Sequence, residues 1–285
     1  MARPHDLGDG VALITGAASG IGAALADTLA HRGMHLALVD LDAARLEAVA
    51  ARARAHGVRV SDHTLDVADA AAVAALPDAV LDVHGRVSVL INNAGVAVGG
   101  TFEQVDADDF DWLMSINFFG TVRMTRAFLP ILAREPVARL VNLSSIFGIV
   151  APPGQTAYCA SKFAVRGFSE SLRHELEATD SPVGVTVVHP GGVRTRIAEQ
   201  ARAPKNAPPD EVARQRGVWR ALLTLAPEDA AERIARAIER REPRVVVGRD
   251  AQQAAWVQRL FPVDYWRIMA RDLARRARKA GVPLS

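Results

Sequence analysis

The chain has 285 residues, 49% of them hydrophobic and 23% charged, which supplies a large core and excludes wholesale disorder. Its 34 Lys and Arg against 32 Asp and Glu leave a formal charge of +2, which argues against a nucleic-acid footprint spread over the molecule. The single cysteine, Cys159, excludes an internal disulfide and suits a reducing compartment.

The opening stretch, Met1 to Gly10, carries no apolar run, so no secretory signal is expected in it. Nowhere do about 18 apolar residues run together, so no bilayer span is expected and the expected setting is the cytoplasm. Val11–Thr15 is the first predicted strand and Gly20–Arg32 the first predicted helix. Between them runs Thr15-Gly16-Ala17-Ala18-Ser19-Gly20-Ile21-Gly22. Glycines at a strand-to-helix turn let a pyrophosphate approach backbone N–H groups at a helix N-terminus. Gly16, Ser19, Gly20, Ile21 and Gly22 are therefore candidate dinucleotide-loop residues. The competing reading is a turn that is glycine-rich for backbone reasons alone.

His35–Asp40 is the second strand. Asp40 lies 18 residues beyond Gly22, where a carboxylate can accept from both adenosine ribose hydroxyls and repel a 2′-phosphate. Neither Ser19 nor Leu41 is basic, so NAD is expected over NADP; Arg45 keeps NADP open. Asp40 also reads as a helix cap, although Asp42 is better placed for that task.

Helix and strand then alternate through Ala43–His56, Val58–Asp66, Ala68–Val83 and Val87–Asn92. A long helix over Asp108–Arg134 contains Asn117 within an apolar run. A buried amide needs partners there, and structural and catalytic roles are equally open. The strand Arg139–Ser144 leads to Ser145, 13 residues before Tyr158. A hydroxyl at that point can donate to a carbonyl oxygen and stabilise alkoxide charge; Ser144 reads as a polar strand end.

The helix Thr156–Ala178 places Tyr158 and Lys162 at i and i+4, on one face. An ammonium beside a phenol favours phenolate, bringing an acid of ordinary pKa about 10 toward working pH. Such a phenolate can take the proton of an alcohol as hydride leaves. Composition sharpens the signal. Two Tyr and three Lys in the whole chain give on the order of 0.02 chance pairs at this spacing. All 31 other basic side chains are Arg, whose broad fork would not replace a compact ammonium.

Val183–His189 is the next strand, followed by Pro190-Gly191. Arg194–Asp210 is polar and proline-bearing. Glu211–Leu225 returns to helix, with Trp219 and Leu222 on its apolar face. A helix starting at Pro227 and a short strand, Arg244–Val247, follow. Each strand reads as nearly continuously apolar, as for strands covered on both faces. The expected architecture is α/β: a doubly wound, parallel, seven-stranded sheet with helices on both faces. It is read as one domain, with a core over about 11–248, a substrate lid over about 195–226 and a C-terminal extension over about 249–285.

Together these motifs resemble the short-chain dehydrogenase/reductase family. Thr15–Gly22 is similar to its TGxxxGxG loop, and Asn92-Asn93-Ala94-Gly95 to its NNAG segment. Asn117, Ser145, Tyr158 and Lys162 are similar to its catalytic tetrad, and Pro190-Gly191 with Val193 and Thr195 to its nicotinamide segment. The resemblance runs from about Val11 to Val247. It implies a Rossmann fold and a tyrosine acid/base. It also implies adenine contacts at Asp66 and Val67, an adenosine border at Asn93 and Gly95, and a strand-holding role for Asn92. By the same resemblance Val193 and Thr195 hold the nicotinamide carboxamide and nearby phosphate, Lys162 binds ribose and lowers the Tyr158 pKa, Ser145 orients the substrate oxygen, and Asn117 holds a water between Lys162 and solvent. The resemblance further implies a homodimer or homotetramer formed through the helices bearing Asn117 and Tyr158.

The segment after Ser145, Ile146 to Pro153, and the small residues Val96–Gly100 are mostly apolar, as is the lid face. An apolar secondary alcohol or its ketone is the expected substrate, with no metal. Ser145, Phe147, Tyr158 and Trp219 are candidate pocket residues; Phe147 and Trp219 read equally as core. The alternatives are an NADPH-dependent carbonyl reductase and a dinucleotide-sensing protein without turnover. The C-terminal aromatics Trp256, Phe261, Tyr265 and Trp266 can close the pocket, pack a subunit interface or lie on a membrane. Membrane contact is the least expected, because a basic run such as Arg271 to Lys279 is more commonly a solvated face.

Overall fold

A computed structural model describes residues 8–271, apart from the side chains of Pro209, Val218 and Trp219. Seven parallel strands form one sheet in the order β3-β2-β1-β4-β5-β6-β7. They are β1 (Val11–Thr15), β2 (His35–Asp40), β3 (Val60–Thr64), β4 (Val89–Asn92), β5 (Ala138–Leu143), β6 (Val183–Pro190) and β7 (Arg244–Val247). The order reverses beside β1, where β2 and β4 flank it. A crevice opens at the strands' carboxyl ends at such a switch point, and ligands of open α/β sheets bind there.

Side chains alternate across each strand and so feed two cores. Ala12, Ile14, Leu36, Leu38 and Ile91 pack on one face against α1 (Gly20–His31), α2 (Ala43–Arg54) and α8 (Pro227–Glu239). Leu13, Val39, Leu90 and Leu140 pack on the other against α3 (Ala70–His84) and α5 (Thr121–Leu132). Helices thus cover both faces, as expected for a doubly wound sheet.

Two elements depart from the sequence reading. β3, with sequence VSDHT, is neither continuously apolar nor buried throughout. It is the sheet's edge, paired only to β2, so one side meets water and polar residues are tolerated. The long helix over Asp108–Arg134 is interrupted. It comprises α4 (Ala107–Met114), a π-helical turn over Ser115–Gly120, and α5. The wider turn carries Asn117, and π turns of this kind commonly mark functional positions.

Beyond α6 (Thr156–Ala178), the chain forms α7 (Pro209–Leu222), α8 and α9 (Arg249–Leu260), and residues 265–271 are again helical. Ala251 and Ala254 of α9 pack on Ile146, Ile149 and Val150, and Tyr265 and Met269 join the same cluster. The Tyr265 hydroxyl accepts from the Ala151 N–H at 3.0 Å. The inner face of the C-terminal extension therefore lies against the segment that follows Ser145. No helix among the described residues is long and apolar enough to cross a membrane.

Candidate active site

The glycine-rich loop is built for close approach. Gly16 and Gly20 have φ of +66° and +54°, a region that costs a side-chain-bearing residue. A Cβ on Gly22 would lie 2.1 Å from the Gly16 carbonyl oxygen, so that glycine packs the helix onto the loop. Asn93 fixes the loop from below: its amide donates to the carbonyls of Thr15 and Gly16 at 2.9 and 3.0 Å. Ser19 is the N-cap of α1, yet its side chain makes no capping bond and the first turn holds no acid. The first-turn N–H groups and the positive helix end are thus left for an external anion, which is the arrangement a pyrophosphate needs.

Asp40 ends β2 with each carboxylate oxygen accepting one backbone N–H, from Ala18 at 2.9 Å and from Asp42 at 3.1 Å. Asp42, not Asp40, caps α2, through the Arg45 N–H at 3.1 Å. Arg45 is drawn into an ion pair with Asp42 at 3.3 Å. Asp66 turns its carboxylate to the Ala68 N–H at 2.8 Å. Asp40, Asp42, Arg45, Asp66 and Val67 all line one cavity of about 840 Å³. That cavity also receives Gly16, Ser19, Gly20, Ile21, Asn93, Gly95, Ser145, Phe147, Tyr158, Lys162, Pro190, Gly191, Val193 and Thr195.

Two predicted residues stand behind its wall. Gly22 lies under the loop. Asn117 is 1% exposed, and its side chain accepts from the Val96 N–H at 2.8 Å and donates to the Val96 carbonyl at 3.0 Å. Its amide also reaches the Ser161 hydroxyl at 3.1 Å. The Asn117 side chain thus ties the segment after Gly95 to the helix bearing Tyr158. The side chain of Trp219 lies outside the described residues, and α7 presents Val212, Gln215 and Leu222 to the cavity.

Tyr158 and Lys162 share a face of α6 as the spacing predicts. The Lys162 ammonium is buried, lies 5.6 Å from the Tyr158 ring centroid, and donates to the Leu143 carbonyl at 3.0 Å. The Ser144 hydroxyl donates to the Lys162 carbonyl at 2.8 Å, so this strand-end serine ties α6 to β5. Ser145 is hydrogen-bonded to Tyr158 and also accepts from the Phe147 N–H at 3.1 Å. Phe147 stands edge-on to Tyr158, centroids 6.1 Å apart, and forms cavity wall as well as packing.

The expected depression of the tyrosine pKa is not produced by the protein's own groups. Burial pushes the Tyr158 phenol up to about 12; the Ser145 hydrogen bond opposes the rise and neighbouring Cys159 adds to it. Burial likewise pulls Lys162 down to about 8. The ammonium is directed at Leu143 and is itself disfavoured by desolvation, so it does not prevail over the phenol's burial.

Besides Asn92 and Trp266, already noted in the sequence, the residues His189, Asn142, Ser169 and Met269 complete the site. His189 sits before the Pro190-Gly191 turn, fully buried, and its Nδ1–H donates to the Ser145 carbonyl at 3.0 Å. Burial lowers its pKa to about 4, so the ring is neutral at pH 7. Asn92 donates to Thr125 and Asn142, and Asn142 to Ser169, a buried amide chain linking β4, β5, α5 and α6. Trp266 and Met269 close the cavity from the C-terminal extension. His189 had a local signal, being polar at the end of an apolar strand. Asn142, Ser169 and Met269 depend on contacts far apart in sequence.

The family model for short chain dehydrogenase matches residues 10–206. The SadH protein of Mycobacterium tuberculosis is 40% identical over 265 residues, covering 93% of this chain and 95% of that protein. A Burkholderia phymatum short-chain dehydrogenase/reductase in complex with NAD is 32% identical with a TM-score of 0.84, covering 90% of this chain and 94% of that one. An alcohol dehydrogenase from Thermococcus sibiricus, complexed with 5-hydroxy-NADP, is 27% identical with a TM-score of 0.71, covering 84% and 95%. With its seven-stranded parallel sheet and its cofactor crevice, the chain belongs to the short-chain dehydrogenase/reductase family and is an NAD(P)-binding oxidoreductase.

Proposed function

We propose that the protein is an NAD(H)-dependent oxidoreductase that interconverts an apolar secondary alcohol and its ketone. One observation carries the reading: the hydrogen-bonded Ser145 and Tyr158 open onto a cavity whose substrate end is walled by Val96, Val98, Phe147, Val150, Trp266 and Met269. The nicotinamide supplies the hydride acceptor or donor, and when oxidised a positive charge. The remaining work falls to side chains. Tyr158 gives its proton to the carbonyl oxygen in reduction and takes it back in oxidation. Ser145 donates to that same oxygen, and the charge developing there is stabilised by both hydroxyls. With its pKa near 12, Tyr158 is an acid at rest, suited to reduction.

NAD is favoured because Asp40 lines the cavity at the end of β2, where a carboxylate would repel a 2′-phosphate, and Arg45 is already paired with Asp42. Asp40→Ala is expected to raise the ratio of NADP to NAD use by about tenfold, since it removes the carboxylate that repels a 2′-phosphate. Affinity for NAD falls in the same variant, because the loop loses its anchors at Ala18 and Asp42. Initial rates with each cofactor measure this, and an unchanged ratio would contradict the assignment of Asp40.

The substrate reading is tested with a homologous series of secondary alkanols. Each added methylene is expected to raise kcat/KM about fourfold until the apolar end is filled, from about 0.8 kcal/mol per buried CH₂. A flat or falling series would sink it. Residues 195–226 act as the lid in this reading. A homodimer or homotetramer through the Asn117 and Tyr158 helices fits the exposure of Phe119 and Phe163 on them. A cytoplasmic setting fits the lone, buried Cys159.

A further inference from the structure

We propose that Asp250, in the C-terminal extension, is a positioning residue for the nicotinamide half of the site; the proposal rests on the dinucleotide reading above. Asp250 lies in the first turn of α9, beyond the residues matched by the family model. Its carboxylate does not cap its own helix. Oδ2 accepts from the Gly192 N–H at 2.8 Å.

The surroundings are cut to admit this carboxylate. A Cβ on Gly191 would lie 2.4 and 2.5 Å from its two oxygens, and one on Gly248 would lie 2.5 Å from Oδ1. Gly248 has φ of +101°, the bend that turns β7 into α9 and delivers Asp250 to the turn. From the opposite side, the Gly192 carbonyl accepts from the Thr224 and Leu225 N–H groups at 2.9 and 3.0 Å. The Gly191-Gly192 turn is therefore clamped between the end of the lid and the start of the extension.

Asp250 shares the cavity wall with Gly191, Gly192 and Val193. The other cavity-lining carboxylates among the described residues, Asp40, Asp42 and Asp66, stand at the ends of β2 and β3. The extension that carries Asp250 also sends Trp266 and Met269 to the substrate end. One segment thus fixes the turn beside the nicotinamide position and walls the substrate. A carboxylate serving only its own helix dipole would affect stability without distinguishing the two halves of a dinucleotide.

The test compares the intact chain with Asp250→Ala and Asp250→Asn, reading NADH affinity by nicotinamide fluorescence and ADP-ribose affinity by competition. ADP-ribose keeps the adenosine, both phosphates and the second ribose and lacks only the nicotinamide ring, so the difference between the two ligands reads the contacts of that ring. Asp250→Ala is expected to weaken NADH about tenfold, the loss of one charge-assisted hydrogen bond, and to leave ADP-ribose unchanged. Asp250→Asn keeps an acceptor for the Gly192 N–H and is expected to recover most of the loss. Equal weakening of both ligands, or of neither, overturns the proposal. Failure of both ligands to bind the unaltered protein overturns the dinucleotide reading and this proposal with it. Melting temperatures of the three proteins identify a variant that has lost its fold.

Discussion

Tyr158→Phe is expected to lower turnover about 1,000-fold or more in both directions while dinucleotide affinity stays near that of the unaltered protein. The magnitude is that of removing a positioned general acid/base. The substitution deletes one oxygen and keeps the ring that packs edge-on against Phe147. Ser145 keeps the bond in which its Oγ accepts from the Phe147 N–H and loses only its bond to Tyr158. The measurement is a pair of steady-state rates, oxidation and reduction, beside an NADH binding titration. Substantial turnover in the variant would mean that another group handles the proton.

Lys162→Met is the second large effect. Turnover is again expected to fall about 1,000-fold, but with a stability signature that Tyr158→Phe lacks. Lys162 is held at about 8 in the fold by burial, below its ordinary 10.5. Between those values the unfolded chain binds the proton and the folded chain does not, so the lysine's contribution to stability rises as pH rises. Cys159 and Tyr158, both pushed up to about 12, pull the other way above pH 9 and 10, but they are common to both proteins. The stability of the unaltered protein relative to Lys162→Met should therefore increase from pH 8 to pH 10.5, by up to about 3 kcal/mol. Denaturant midpoints of the two proteins at several pH values read it. A difference that stays constant with pH would show that the ammonium is not desolvated.

Much of this site was legible because its chemistry sits at short sequence spacing. The glycine-rich loop lies between a strand and a helix, and Tyr158 and Lys162 are one helical turn apart, so local periodicity places them. Asn117 was legible as a buried polar residue but not as a backbone clamp, because its partner Val96 belongs to another segment. The π turn that carries it has no separate signature in an apolar run. β3 misled the reading because edge position is a property of the assembled sheet, not of a five-residue sequence.

The direction of the Tyr158 pKa is not legible from spacing. Spacing shows that a charge is near, but not how much water is excluded, and here burial outweighs the charge. The C-terminal extension was the least legible part. Its aromatics can close the pocket, pack an interface or, least expected, lie on a membrane; the contacts of Tyr265 with Ala151 and of Trp266 with the cavity wall join distant segments.

The central claim is that Ser145, Tyr158 and Lys162 support hydride exchange between NAD(H) and an apolar secondary alcohol or ketone. The most direct test follows the nicotinamide absorbance of the unaltered protein with NAD or NADP across aliphatic, cyclic, aryl and steroidal secondary alcohols. Reduction of NAD by at least one of these alcohols, faster than reduction of NADP, is the predicted result. No absorbance change with either cofactor, in a protein that demonstrably binds NADH, would contradict the claim and point to a dinucleotide sensor.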